Sequence, residues 1–174
     1  MNYNELKEKA HSNAVNHGFW KERLSNEHGL MLIITEVAEL VEADRKAYHA
    51  DCKEYTMMPN KQIGFEKFIK SSVEDEFADI AIRLFDLAGA LGVDFDKMQP
   101  CRYFRAYNKF GFTENAFALC KGLSRDVIGI EKRIQFGLHY VENWTKTLGI
   151  DLSWHIKQKM KYNESRPSMH GKKY

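Results

Sequence analysis

Apolar residues recur every three or four positions through long stretches of this chain, and runs with strand-like alternation are sparse. Leu30, Ile33, Ile34, Val37, Leu40 and Val41 make one such face. Leu123, Val127, Ile130, Ile134, Leu138, Val141, Trp144 and Leu148 make another. That period matches a helix of 3.6 residues per turn, not a strand, whose side chains change face at every step. Three prolines in 174 residues leave room for long helices. The chain therefore reads as all-α, a bundle of about five helices in a single domain long enough to bury a sizeable core.

Local signals place the elements. A first helix covers about residues 3–17, with Leu6, Ala10 and Ala14 on one face and Gly18 closing it. A second runs from about Leu30 to Tyr48. Residues 51–70, with Pro59, Asn60 and Gly64, read as a connection holding one short helical turn. Ser71 with Glu74 has the form of a capping box, so a third helix starts there and runs to about Leu91. Residues 97–112 read as irregular, a fourth long helix carries the pattern ending at Leu148, and Asp151 or Ser153 caps a final helix that stops before Pro167. The tail SMHGKKY is polar and is expected to be ordered only where it docks. LGVD (91–94) and LGID (148–151) are near copies. They are either two similar helix C-caps or the two edges of an inserted segment.

Composition excludes several classes. A formal charge of +2 argues for neither a nucleic-acid nor a membrane partner. No apolar run approaches the ~18 residues of a membrane span. Cys52, Cys101 and Cys120 form no CxxC pair and no even framework, and the polar N-terminus has no leader pattern. Reduced thiols in the cytoplasm are the simplest setting.

Two acidic pairs sit inside the most apolar helical stretches: Glu36 and Glu39, then Glu76 and Asp79. Spacing alone says little, since about three acid-x-x-acid pairs arise by chance in this composition and five occur. Context separates these two. Glu36 and Glu39 are the only charges between Leu30 and Val41, and they project from one face of the helix. Each stripe is either the wet side of an amphipathic helix or one half of a carboxylate cluster. Carboxylates brought together repel by about 4 kcal/mol per close pair at an effective dielectric near 20, so a cluster needs protons or a cation. Oxygen ligands without His or Cys favour Mg²⁺, with Mn²⁺ possible as a substitute, and Mg²⁺ held this way most often serves a phosphate compound. The histidines show neither zinc spacing nor a di-iron pattern.

The C-terminal helix is basic. Lys159, Asn163 and Arg166 share one face and suit phosphate oxygens, although a basic end also simply complements the helix dipole.

Glu36-x-x-Glu39, then Glu76-x-x-Asp79 followed by LGxD, then KMKYNESRP…HGKKY, together resemble the MazG-like all-α nucleoside triphosphate pyrophosphohydrolases. The likeness covers about residues 13–96 and 148–174, with 97–147 reading as a helical insertion that adds a subunit contact or a lid. It implies that Glu36, Glu39, Glu76 and Asp79 bind Mg²⁺ and that Lys159, Asn163 and Arg166 contact phosphates. Asn16, Phe19 and Trp20, in NHGFW, would lie near the base, where Phe19 and Trp20 either stack on it or anchor the first helix. The implied reaction is attack of water on the α-phosphorus of a nucleoside triphosphate, a dNTP above all, giving monophosphate and pyrophosphate. Glu39, ahead of Glu36, would accept the water's proton. Apolar faces spread around the second and third helices point to a homodimer or homotetramer. The rival readings are a non-catalytic helical interaction protein and a module that binds nucleotide without cleaving it.

Overall fold

The structure, a computed structural model, describes residues 1–22 and 24–171. Lys172, Lys173 and Tyr174, the end of the HGKKY motif, lie outside the described residues. The described residues contain eight α-helices and no strand. In chain order these are α1 (Tyr3–Asn16), α2 (Asn26–Arg45), α3 (Cys52–Met57), α4 (Lys61–Phe68), α5 (Val73–Ala90), α6 (Phe112–Leu123), α7 (Ile130–Leu148) and α8 (Leu152–Glu164). None is long and apolar enough to cross a membrane.

The bundle is built around α5. Phe77, Ala78, Ile80, Ala81, Leu84, Phe85 and Ala88 form one broad apolar face of it and are buried, while Glu76, Asp79, Arg83 and Asp86 share the other face. α1, α2, α7 and α8 pack against it. Burial of each large side chain contributes roughly 1.5–3 kcal/mol.

The helix count differs from the expected five for identifiable reasons. The 51–70 connection is two short helices on either side of Pro59, capped by the side chains of Asp51 and Asn60. With Tyr162 of α8 they enclose a small separate core of Tyr55, Phe65 and Ile69, in which the Phe65 and Tyr162 rings stack at 4.5 Å. The expected fourth helix is two, α6 and α7, parted by residues 124–129. Val127 lies in that break and is 84% exposed. α2 starts at Asn26, ahead of the expected Leu30, because Ser25 accepts a hydrogen bond from the His28 N–H. Asp151, not Ser153, caps α8. Gly92 and Gly149 both take positive φ just past a helix, at +65° and +74°, so the LGVD and LGID echoes are helix ends of the same kind.

Segment 97–147 is part of the main core. Leu119, Leu123, Ile134, Tyr140, Val141 and Trp144 are buried in the same cluster as Phe77 and Leu84, and Trp144 meets Phe77 edge-on at 4.9 Å. α6 packs on α2 and α7 on α5. On α2, Ile33, Val37 and Leu40 are buried within the chain, while Met31 stays 54% exposed. The α6–α7 contact is close: a Cβ on Gly122 would fall 2.0 Å from a Phe136 ring carbon. Gly122→Ala is expected to lower stability by about 1–3 kcal/mol, read as a lower thermal midpoint. An unchanged midpoint would mean that the two helices do not meet there.

Candidate metal centre

Three helices bring the acids together. Ser72 opens α5 by accepting from the Asp75 N–H at 3.2 Å, one residue later than the expected Ser71 cap. This register turns Glu76 and Asp79 toward α2, which supplies Glu36. Glu36, Glu76 and Asp79 each place a carboxylate oxygen within 4.8 Å of the other two. Glu36 and Glu76 are buried, and Asp79 is partly exposed. Glu39, one helical turn beyond Glu36, is exposed and lies outside this trio, on the wall of the same cavity.

α8 closes the centre from the other side, and Lys159 does so differently from its expected role. Its buried ammonium pairs with Asp75 at 2.8 Å and Asp79 at 2.6 Å, so it is engaged by carboxylates rather than free for phosphate. Asp75, a residue the sequence did not single out, is 1% exposed. Its Oδ2 also accepts from the Ser71 N–H at 2.9 Å, and Ser71 holds a left-handed φ of +63° at that point. Arg83 donates to Glu36 at 2.5 Å. Four carboxylates (Glu36, Asp75, Glu76, Asp79) thus face two cations (Arg83, Lys159), which leaves two negative charges when all are ionised.

The excess charge falls on Glu76. Its Oε2 is buried with no hydrogen-bond partner among the described residues. Burial first, then the neighbouring Asp79 and Asp75 carboxylates, push its pKa up to about 9. Burial and Asp79 also raise Glu36 against the pull of Arg83. Asp75 is raised by burial, with the Lys159 ammonium opposing, while Lys159 is held well above the usual lysine range by Asp79 and Asp75. A buried carboxylate trio with an orphaned oxygen either keeps a proton or takes a cation. An all-oxygen donor set of this kind fits a hard divalent ion.

The cavity is about 320 Å³ and runs along α5 from Asp75 to Leu87, some 18 Å at about 1.5 Å per residue. Its acidic end also holds Lys70, Asn163 and Arg166. Asn163 Oδ1 is buried without a partner, and the Arg166 guanidinium lies 5.8 Å from the Tyr162 ring centre. The far end is apolar, lined by Ala14, Phe19, Trp20, Leu24, Leu32 and Ile82. Trp20 is fixed there by a hydrogen bond from its Nε1–H to Asp86 (2.8 Å), whose same oxygen meets His11 Nδ1 (2.8 Å). Asn16 is exposed at the end of α1 and does not line the cavity; Asn13, one turn earlier, does. No residue of 97–147 lines this cavity.

No family model, curated protein or solved structure matches the chain. The functional reading therefore stands on the residues themselves.

One consequence concerns stability without metal. Glu76 keeps its proton in the folded chain up to about 9, whereas the unfolded chain releases it near 4.5. Between these values the folded state holds more protons, so stability falls as pH rises, by up to ~1.4 kcal/mol per pH unit. With chelator present, the thermal midpoint is expected to fall between about pH 6.5 and 8.5. Below that window His155, whose pKa burial lowers, adds the opposite slope, because it charges more readily once unfolded. A flat or rising midpoint across the window would show Glu76 ionising freely.

Proposed function

We propose that this protein hydrolyses nucleoside triphosphates, dNTPs above all, between the α- and β-phosphates in a Mg²⁺-dependent reaction. The observation that carries the reading is the convergence of the Glu36, Glu76 and Asp79 carboxylates around a buried Glu76 oxygen with no partner among the described residues, in a cavity that Phe19 and Trp20 also line. The resemblance to MazG-like pyrophosphohydrolases agrees with it. Glu36, Glu76 and Asp79 would hold the ion. Bound there, Mg²⁺ would neutralise phosphate oxygens and lower the pKa of water.

The chain's own residues supply the rest. Glu39 is on the wall but outside the trio, and accepts the proton of the attacking water. Glu36, tied to Arg83, is a ligand rather than a base. Lys70 and Arg166 are the cations placed for the phosphates, with Asn163 beside them, while Lys159 sets the charge of Asp75 and Asp79. Phe19 and Trp20 flank the base at the apolar end, about 10 Å or two helical turns along α5 from the acids.

A panel of NTPs and dNTPs, assayed for pyrophosphate and monophosphate release with and without Mg²⁺, tests this. Release of both products that stops with chelator is the expected result. The Lys159 pairs favour a second reading, a cluster partly neutralised from within the chain that binds nucleotide without cleaving it. Nucleotide binding with no release of either product would support that alternative.

A further inference from the structure

The segment 97–113 has no part in the centre described above, yet its composition is unusual. It carries Lys97, Arg102, Arg105 and Lys109 with no acidic residue, interleaved with Tyr103, Phe104, Tyr107, Phe110 and Phe112. Apart from two short 3-10 turns, Phe95–Lys97 at its start and Tyr107–Lys109, its residues before α6 form no regular helix, but they are tied down. Gln135 of α7 donates to the Gln99 carbonyl at 2.9 Å, and His139 Nε2 lies 2.9 Å from the Tyr103 carbonyl. Arg105 donates to Asn115 at 2.7 Å, and Asn115 in turn donates to the Tyr107 carbonyl at 3.1 Å. Tyr107 packs edge-on against Tyr140 at 4.9 Å. A segment fixed at this many points presents its remaining side chains in a preset arrangement.

The side chains it presents form a cavity of about 530 Å³ against α7. Arg102, Arg105, Tyr103 and Phe104 come from the segment; Asn143 and Lys146 come from one face of the helix. No carboxylate lines it, and it shares no lining residue with the acidic cavity. Arg105 is already committed to Asn115 and to the Phe110 ring, 3.8 Å below its guanidinium, and Lys146 shares its charge with Glu142 at 3.0 Å. Arg102 is exposed. Phe104 is 87% exposed, so its ring is open to a ligand. A pocket that combines cations, an amide and an uncovered aromatic ring matches a ligand with both phosphate and a flat ring.

We propose that this cavity is a second binding site, for a nucleotide, taken either free or as a unit of a single-stranded nucleic acid. Phe104 and Tyr103 offer their rings to the base, and Arg102 and Lys146 offer charge to the phosphate. The low net charge of the whole chain does not bear on it, because these seventeen residues carry four cations and five aromatics with no acid among them. The site is independent of the proposed hydrolysis and needs no metal.

Fluorescence anisotropy with chelator present, which silences the acidic centre, tests the proposal with two probes. One is a fluorescein-labelled oligothymidylate of about fifteen nucleotides, the other an N-methylanthraniloyl-labelled mononucleotide. At low salt at least one probe is expected to bind, and both Arg102→Glu and Phe104→Ala are expected to weaken it ~10-fold or more. Binding of the oligonucleotide alone assigns the site to a strand; binding of the mononucleotide assigns it to the free ligand. Both substitutions are at exposed positions, and an unchanged thermal midpoint confirms that the fold survives. Failure of both probes to bind, or binding that survives either substitution, overturns the proposal.

Discussion

Glu76→Gln is expected to lower metal-dependent pyrophosphate release by at least ~100-fold while leaving the chain folded. Without metal it should be no less stable than the parent at pH 8. Both halves come from one property of the site. Burial and two carboxylate neighbours hold the Glu76 proton up to about 9, so at pH 8 the metal-free protein already carries a neutral group there. The amide is close in size, equally neutral and unable to ionise. It therefore keeps a neutral group beside Asp79 and Asp75 without opening a void. What it cannot do is lose a proton when a divalent ion binds, and metal affinity depends on that loss. Retained hydrolysis would remove Glu76 from the metal set, and collapse of the fold would mark it as structural. Glu39→Gln provides the contrast: slower turnover with metal binding kept, because Glu39 lies outside the trio.

Much of the architecture was legible because apolar period and capping chemistry act locally. The all-helical class, the two ends at Gly92 and Gly149, and the cap at Asp151 all come from a few neighbouring residues. The misses have local causes too. Apolar recurrence continues in phase from Leu123 through Val127 to Ile130, so nothing in the period marks the break between α6 and α7. Val127 keeps the pattern and faces water. α3 and α4 are short and polar, and their helical stability comes from caps and from packing against Tyr162. No sequence period reports that.

The site was legible in its members and less so in their roles. Glu36, Glu76 and Asp79 converge as their apolar settings suggested. Asp75 was hidden in the run Glu74-Asp75-Glu76, where acids at a helix start are ordinary company for the dipole. Its place four residues before Asp79 puts it on the same face of α5. The role of segment 97–147 was illegible for another reason. That α6 and α7 belong to the core follows from which face of α5 they meet, and the packing of Trp144 on Phe77 shows it.

Lys159→Met is expected to cost about 3–5 kcal/mol of stability, the largest loss predicted for any single substitution in the centre. Removing the ammonium leaves Asp75, 1% exposed, with its Oδ1 already unpartnered and its Oδ2 reduced to the Ser71 N–H. Asp79 loses the same partner, 2.6 Å away. Two further measurements separate lost charge from lost packing. Adding Asp75→Asn to Lys159→Met should recover part of the cost, because the buried acid left without its cation is then gone. Divalent metal should raise the thermal midpoint more in Lys159→Met than in the parent, because the ion then meets one more uncompensated negative charge. A cost below about 1 kcal/mol, with no gain from the second substitution, would mean that the pairs are weak, as exposed pairs are. Lys159 would then be free to reach phosphate, as its place on the basic face of α8 first suggests. A large cost with both forms of rescue makes it the fixed counter-charge of the centre, and leaves the phosphates to Lys70 and Arg166 on the same cavity wall.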